Sequence, residues 1–131
     1  MPEKILVVDD SDDTREMMAK LLELESFKVI TAEDGRQALS LAETERPDLI
    51  ITDINMPNLN GIEMIKLLRK QPGFNSVPIM AITAYGSSVA REAIEAGANQ
   101  ATTKPIEFES LIIGIRELLA QSRHQGAFNG I

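Results

Sequence analysis

Short apolar runs, each closed by a polar residue, alternate along this chain with stretches in which apolar residues recur every three or four positions. The short runs predict buried strands, and the recurring stretches predict amphipathic helices. Five strands are predicted, at residues 5–8, 27–31, 49–53, 77–82 and 100–103. A helix is predicted after each strand, with apolar faces that include Leu22, Leu39, Ile65, Ala93 and Ile115.

Strands and helices that alternate in this way specify a parallel sheet covered by helices on both faces, with right-handed crossovers. The first four strands are almost continuously apolar, which agrees with burial on both faces. The polar fifth strand suits a sheet edge. The sequence therefore predicts a doubly wound α/β fold, formed by one domain over residues 1–121. Residues 122–131 show no apolar period and are predicted to form a flexible tail.

The composition excludes several classes of function. The chain has a formal net charge of −7, which argues against direct binding to nucleic acid, because phosphate backbones need clustered Lys and Arg. There is no cysteine, which excludes disulfides, thiolate metal sites and Cys nucleophiles. No apolar run approaches the roughly 20 residues of a membrane span, and no export signal precedes the first strand. We therefore expect a cytoplasmic protein with no membrane partner.

Side chains that can do chemistry follow the predicted strands where each strand ends. Asp9 and Asp10 follow the first strand, Asp53 closes the third, Thr83 the fourth and Lys104 the fifth. The carboxyl ends of parallel strands form one rim, where open α/β sheets bind ligands. Three carboxylates crowded there repel one another unless a cation offsets their charge. Mg²⁺ is the expected cation, because it prefers oxygen ligands.

Each of these residues also has a plainer explanation. Asp9 and Asp10 could favour the positive end of the next helix dipole, and Asp53 alone could begin a turn. Lys104 could be a solvated charge at a strand end, and Thr83 a hydroxyl bonded to nearby backbone. Their coincidence on one rim favours a functional site over five separate accidents.

Four segments of the chain resemble the receiver domain of two-component response regulators, the CheY-like family. The segments are Val7-Val8-Asp9-Asp10, Thr52-Asp53-Ile54-Asn55-Met56-Pro57 with Gly61, Thr83-Ala84, and Thr103-Lys104-Pro105. Each segment alone is weak, but all four occur in the right order and close the right strands. The resemblance covers residues 4–121 and implies a flavodoxin-like sheet with strand order 2-1-3-4-5.

The resemblance also implies a function. Asp53 would accept a phosphoryl group from a phosphohistidine on a sensor histidine kinase or a histidine phosphotransfer protein. Asp10, Asp53 and the backbone carbonyl of Asn55 would hold Mg²⁺, and Asp9 would support the cation through water. Thr83 and Lys104 would contact the phosphoryl oxygens, and the Lys104–Pro105 bond would be cis. The chain would be a signalling switch that assists its own phosphorylation and dephosphorylation, and not a turnover enzyme.

One position departs from the family pattern. Many receivers carry a Tyr or Phe three residues before the lysine, where its rotation reports phosphorylation, but this chain has Ala101. The single tyrosine is Tyr85, two residues after Thr83. The single histidine, His124, lies in the predicted tail and is not expected to donate a phosphoryl group. No output domain follows the last helix, so we expect a stand-alone receiver with an unknown target, unless the chain belongs to a longer protein.

Two other functions fit parts of the sequence. Residues 10–14 match the D-x-D-x-T spacing of haloacid-dehalogenase-like phosphatases, which would make Asp10 the nucleophile of a Mg²⁺-dependent enzyme. Against this, Asp12 should already be entering a helix. A flavodoxin-like binding module is the third interpretation. It is disfavoured because an acidic loop after the first strand repels a phosphate group unless a metal intervenes.

Overall fold

The structure, a computed structural model, describes residues 2–56 and 59–129, with side chains described as far as residue 122. The strands are β1 (Lys4–Val8), β2 (Lys28–Ala32), β3 (Leu49–Asp53), β4 (Ile79–Thr83) and β5 (Gln100–Thr103). The helices are α1 (Asp12–Leu24), α2 (Gly35–Glu45), α3 (Gly61–Lys70), α4 (Ser87–Ala96) and α5 (Phe108–Asn129).

The five strands form one sheet in the order β2-β1-β3-β4-β5, and every neighbouring pair is parallel. The predicted doubly wound fold and its strand order are therefore confirmed. The central strand β3 is paired on both sides, with Thr52 opposite Val8 of β1 and Asp53 opposite Ile82 of β4. All of β3 is buried, so Asp53 ends a strand that has little freedom to move.

Two apolar cores cover the two faces of the sheet, because successive strand residues point to opposite sides. On one face, Ile50 of β3 packs in a cluster with residues of α2, α3 and α4. On the other face, Ile51 packs in a cluster with residues of α1 and α5. Both faces of the sheet are thus covered by apolar side chains, and the polar side chains of the central strands lie at the strand ends.

Three helices begin with a side chain that accepts a backbone N–H of the first turn, as is usual for helix caps. Ser11 caps α1, Asp34 caps α2 and Asn60 caps α3. The start of α4 is different, because Gly86 occupies the cap position and makes no side-chain hydrogen bond. Ala93 is the one residue of α4 that is fully buried. The N-terminal end of α4 therefore lacks the side-chain cap that α1, α2 and α3 have.

Several boundaries differ from those predicted by one or more residues, and three of the differences have a physical reason. The last helix does not give way to a loose tail at residue 122 but continues to Asn129, and residues 130 and 131 lie outside the described part. This stretch lacks an apolar stripe, but it contains no proline and several good helix formers, which extend a helix that has already begun. Strand β2 starts after Phe27, whose N–H bonds Leu22 of α1, and β4 starts after Pro78, which has no N–H to donate.

Within residues 2–56 and 59–129, no helix is both long enough and apolar enough to cross a membrane.

Arg69, near the end of α3, ties together three segments at the edge opposite the rim. Its guanidinium donates to the carbonyl of Gly97 at 2.7 Å, and to those of Phe74 and Val77 at 2.9 and 2.7 Å. It also donates to the side-chain oxygen of Asn99 at 2.9 Å. A planar fork with five N–H groups suits several acceptors at once. Arg69 thereby fixes the C-terminal end of α4, whose N-terminal end is uncapped.

We expect Arg69→Met to lower the free energy of unfolding by about 3 kcal/mol, because it leaves several partly buried carbonyls without their charged donor. Urea denaturation followed by circular dichroism measures the change. Lys66→Met is the matched control, since Lys66 is exposed on the same helix and should change stability by less than about 0.5 kcal/mol. Equal losses in the two variants would contradict the role given to the Arg69 bonds.

Candidate functional site

The loop after β1 turns one carboxylate inward. Asp9 is only 4% exposed, and its carboxylate accepts the backbone N–H of Ser11 at 2.8 Å. The Asp9 N–H donates to the carbonyl of Ala32 at 3.1 Å, which attaches the loop to the end of β2. Asp10 is exposed. The first strand thus ends in one buried and one exposed carboxylate.

Asp53 and Lys104 meet across the rim although 51 positions separate them in the chain. Asp53 is 6% exposed, and its Oδ2 lies 3.4 Å from Nζ of Lys104. The Lys104 N–H donates to the carbonyl of Thr83 at 2.8 Å, which holds the end of β5 beside β4. The Lys104–Pro105 bond is cis, as the resemblance implies. Among the described ion pairs, Lys104 is the partner of Asp53, and 31% of its side chain is exposed.

Three carboxylates form an acidic cluster that could hold a metal ion. One oxygen each of Asp9, Asp10 and Asp53 lies within 4.8 Å of the other two. Divalent cations bind oxygen at about 2.0–2.6 Å, so oxygens of one coordination shell lie no more than roughly 5 Å apart. The hard oxygen donors and their spacing therefore fit such a cation. Two of the three residues are buried and one is exposed, which leaves the cluster open to solvent on one side.

The electrostatics of Asp9 reflect this crowding. Burial raises the pKa of its carboxyl above the ordinary value, the hydrogen bond from Ser11 opposes that effect, and the charge of Asp53 adds to it. Lys104 lowers the Asp9 pKa by a smaller amount, and Asp10 raises it slightly. The charged form of Asp9 is thus disfavoured in the folded protein when no cation is bound.

The remaining ligand inferred from the resemblance lies in the loop after β3. Asn55 is exposed two residues beyond Asp53. Pro57 and Asn58, which belong to the same segment, lie outside the described residues. The role of the Asn55 carbonyl stays a prediction.

Thr83 ends β4 on the same rim, but its hydroxyl is already occupied. The hydroxyl donates to the carbonyl of Tyr85 at 3.1 Å and accepts the N–H of the same residue at 3.0 Å. Thr83 is fully buried, whereas Tyr85 is 60% exposed. Ala101, which replaces the expected aromatic residue, lies on β5 directly opposite Ala81. Thr83 is therefore hydrogen-bonded to the backbone of Tyr85, and position 101 of β5 carries only a methyl group.

Arg15 was not identified from the sequence, and Gly61 was named there only as part of a family segment, without its contact. Arg15 of α1 donates to the backbone carbonyl of Asp9 at 2.8 Å and pairs with the carboxylate of Asp12. The three-residue spacing of Asp12 and Arg15 on a helix could have indicated that ion pair. Gly61 begins α3 directly behind Asp53, so that a Cβ atom there would lie 2.5 Å from the Asp53 carbonyl oxygen. Nothing in the local sequence reports that contact.

A family model described as the response regulator receiver domain matches residues 5–116. The chain belongs to this family. The match to this receiver domain covers nearly all of the five strands and all of the first four helices. Response regulators of two-component systems receive their signals from histidine kinases. The match ends inside α5, so the last turns of that helix lie beyond it.

Individual relatives agree with this assignment. The receiver domain is 38% identical over 123 residues to response regulator MprA of Mycolicibacterium vanbaalenii, covering 93% of this chain and 52% of MprA. It is 39% identical over 120 residues to the transcriptional regulatory protein CpxR of Escherichia coli, covering 91% of this chain and 50% of CpxR. The chain therefore spans about half the length of these two relatives.

Solved structures give the same result. The chemotaxis response regulator CheY4 of Vibrio cholerae is similar to the receiver domain with a TM-score of 0.85 and 35% identity, covering 90% of this chain and 99% of that one. The alternative of a dehalogenase-like phosphatase has no support. Asp12, the second aspartate of the D-x-D-x-T spacing, is the first residue of α1, and its carboxylate pairs with Arg15.

In the absence of divalent cations, we expect Asp9→Asn to raise the free energy of unfolding at pH 7, because it removes a buried charge that Asp53 and Asp10 repel. The Asp9 pKa is raised in the folded state, so its ionisation costs stability as the pH rises above the ordinary value of 3.8. The gain should therefore shrink as the pH falls toward 4, because protonation of folded Asp9 removes the repelled charge. Urea denaturation in EDTA at the two pH values measures it.

Asp13→Asn is the control for this experiment, since Asp13 is exposed in the first turn of α1 and should change stability by less than about 0.5 kcal/mol. A gain for Asp9→Asn that is the same at pH 7 and pH 4 would show that charge is not its cause.

Proposed function

We propose that this receiver domain is a phosphorylation-activated switch in which Asp53 accepts a phosphoryl group from a phosphohistidine of a partner protein. The observation that carries the proposal is the placement of the Lys104 ammonium 3.4 Å from the Asp53 carboxylate, beside the acidic cluster. A carboxylate with a cation site on one side and an ammonium on the other suits transfer of a phosphoryl group, which asks a protein mainly for positioning and charge neutralisation.

In the proposed reaction, an Asp53 carboxylate oxygen attacks the phosphorus atom of the phosphohistidine. A new O–P bond forms, the P–N bond breaks, and its electron pair returns to the imidazole nitrogen. Lys104 then pairs with a phosphoryl oxygen in place of the free carboxylate. The open side of the acidic cluster, at exposed Asp10, is the approach that leaves room for the incoming group.

We propose Mg²⁺ as the cation, held by Asp10, Asp53 and the Asn55 carbonyl, with Asp9 acting through water. When bound, it supplies positive charge next to the phosphoryl oxygens. The buried and solvent-exposed oxygens of the cluster suit Mg²⁺, which keeps several waters and usually takes only one or two carboxylates. Asp9 and Arg15 hold the loop from behind, since Arg15 donates to the Asp9 carbonyl at 2.8 Å.

The partner in this proposal is a sensor histidine kinase or a histidine phosphotransfer protein. We further propose that the receiver, formed by residues 1–121, acts as a switch and not as a turnover enzyme. A cytoplasmic location follows within the proposal, because a phosphohistidine made from ATP is available where ATP is. The downstream partner would be a protein that distinguishes the two states of the rim.

We expect incubation with a small acyl phosphate and Mg²⁺ to add one phosphoryl group to the wild-type chain, and Asp53→Asn to abolish the addition. Intact-protein mass spectrometry measures both. EDTA should suppress the wild-type reaction by 100-fold or more, on the order of the loss when a catalytic charge is removed. Asp13→Asn, an exposed carboxylate outside the cluster, should react as fast as the wild type. Phosphorylation of Asp53→Asn at the wild-type rate would contradict the assignment.

The hydrogen bonds of Thr83 give the switch a route outward. If its hydroxyl turns to a phosphoryl oxygen, it must leave both the N–H and the carbonyl of Tyr85. A hydrogen bond to a charged group contributes about 1.5–3 kcal/mol, and each ordinary bond that is lost costs about 1 kcal/mol. Lys104 exchanges one charged acceptor for another, so only the contact of Thr83 is new. That contact would contribute roughly 1.5–3 kcal/mol, which leaves at most about 1 kcal/mol after the two losses.

A net free energy of about 1 kcal/mol shifts a two-state equilibrium by about fivefold, whereas inverting a 1:99 population needs roughly 5.5 kcal/mol. The loop must therefore be near balance before phosphorylation for the switch to work. The uncapped start of α4 at Gly86 fits this requirement. Because Ala101 offers only a methyl group, we propose that Tyr85 reorients while β5 remains nearly still.

We expect a beryllofluoride mimic of the phosphoryl group to change the tyrosine fluorescence of the chain, which has one tyrosine and no tryptophan. Thr83→Val keeps the shape of the side chain but lacks the hydroxyl, so it should bind the mimic with little change in fluorescence. Backbone amide NMR shifts of residues 100–103 should move less than those of residues 84–86. An unmoved Tyr85 beside large shifts in β5 would show that the signal leaves through the edge strand.

A further inference from the structure

The helices α2 and α3 both begin with a glycine that is buried against the described part of the loop between β3 and α3 (residues 54–56 and 59–60), here called the β3–α3 loop. Neither Gly35 nor Gly61 has a positive φ; among the described glycines only Gly73 and Gly97 do. Their backbone conformation is therefore open to other residues. Alanine also favours a helix by about 1 kcal/mol over glycine. Local structure gives no reason for glycine at these two positions, so the reason lies in what surrounds them.

Gly61 is pressed against the main chain of the proposed phosphoacceptor. A Cβ atom at this position would lie 2.5 Å from the Asp53 carbonyl oxygen and 2.8 Å from the Cα of Ile54. Both are backbone atoms, which cannot rotate away as the end of a side chain can. The Gly61 N–H also donates to the Ile54 carbonyl at 2.8 Å. The start of α3 thus supports the backbone that carries Asp53.

Gly35 makes the equivalent contact at the far end of the same loop. A Cβ atom there would lie 2.5 Å from the Leu59 carbonyl oxygen and 3.0 Å from the Leu59 Cβ. Gly35 itself is held in place by the cap of α2, where Asp34 accepts the N–H of Gln37 at 2.8 Å. The β3–α3 loop is therefore supported from two helices, and at both places the contact leaves no room for a side chain.

We propose that Gly35 and Gly61 are positioning residues for phosphoryl transfer, because their missing side chains set the path of the β3–α3 loop and with it the place of Asp53 and Asn55. The inference rests on the proposed function of Asp53. Carbon and oxygen atoms pack at about 3.5 Å, so a contact of 2.5 Å requires a shift of roughly 1 Å. A displacement of that size at a reacting group can cost about 100-fold in rate.

The test compares three glycine-to-alanine variants. Gly61→Ala moves the Asp53 backbone, and Gly35→Ala moves Leu59 at the other end of the loop. Gly114→Ala in α5 is the matched control, because a Cβ there would meet only Gln100 Oε1 at 2.9 Å and Met80 Cε at 3.1 Å, the ends of flexible side chains. Calorimetric titration with Mg²⁺ gives the dissociation constant, and mass spectrometry gives the rate of phosphorylation by an acyl phosphate at saturating Mg²⁺. Both are measured at a temperature at which circular dichroism shows each variant to be folded.

We expect Gly61→Ala to weaken Mg²⁺ binding by about tenfold or more, as loss of support behind a ligand does. Its phosphorylation rate at saturating Mg²⁺ should fall by about 100-fold. Gly35→Ala should weaken Mg²⁺ binding in the same direction, with a smaller loss of rate, since Leu59 is farther along the chain from Asp53 than Ile54 is. Gly114→Ala should match the wild type within about twofold in both measurements.

The inference is overturned if Gly61→Ala melts at a lower temperature but keeps the wild-type dissociation constant and rate, since the glycine would then serve stability alone. Should Gly61→Ala fail to fold, the same two measurements on Gly35→Ala decide: an unchanged Mg²⁺ affinity contradicts the proposal, and a weakened one supports it. A wild-type chain that gains no phosphoryl group would contradict the proposed function itself. A phosphorylated wild type with unimpaired variants would contradict only the role of the glycines.

Discussion

Repulsion among the carboxylates of Asp9, Asp10 and Asp53 is the constraint around which the rim is arranged. The fold brings one oxygen of each within 4.8 Å of the others, and it buries two of the three residues. Burial and the charge of Asp53 both raise the pKa of Asp9, which shows that the folded protein disfavours this charge. Lys104 offsets part of the repulsion from one side, and a cation in the cluster would offset more of it. The same repulsion that disfavours the charge of Asp9 in the folded protein makes the cluster one that could hold a cation.

The packing of the sheet makes this crowding possible. Each strand near the centre is buried on both faces, and β3 is paired on both edges, so Asp53 cannot move away from its neighbours. The β1–α1 loop is held by the bond from Ser11 to Asp9 and by Arg15. The β3–α3 loop is held by close contacts at Gly35 and Gly61. Three sides of the site are therefore rigid.

The fourth side, after β4, is built differently. Arg69 fixes the C-terminal end of α4 through the Gly97 carbonyl, but the other end of the helix starts at Gly86 without a side-chain cap. Thr83 is fully buried, yet its two hydrogen bonds go only to the backbone of exposed Tyr85. If Asp53 is modified, the loop after β4 is thus the side of the site that can rearrange with the fewest bonds lost. Under the proposed function, the contrast between the bonded C-terminal end and the uncapped N-terminal end of α4 would give a signal a direction in which to leave.

The sequence by itself determined the elements and the residues at their ends. Apolar runs located the strands, and Asp9, Asp53, Thr83 and Lys104 were placed on one rim because parallel strands share their carboxyl ends. These inferences depend only on local pattern and on the topology that the pattern requires. The same local pattern gave no sign that α5 continues to Asn129, because an apolar stripe reports packing and not helix formation. The first residue of β2 depended on where the N–H of Phe27 bonds, which is equally invisible in a periodicity.

Only the tertiary structure decided the contacts between residues that are far apart in the chain. The 3.4 Å approach of Lys104 to Asp53, the Arg15 bond to the Asp9 carbonyl and the close contact behind Asp53 at Gly61 all arise from packing between elements. Thr83 and Tyr85 are only two residues apart, but the hydrogen bonds between them also depend on the fold. Burial removes water as a partner of the Thr83 hydroxyl, and the loop backbone takes its place. The residue types at the strand ends can be read from the local sequence. The distances between them, their burial and the raised pKa of Asp9 follow from where the fold places each neighbour.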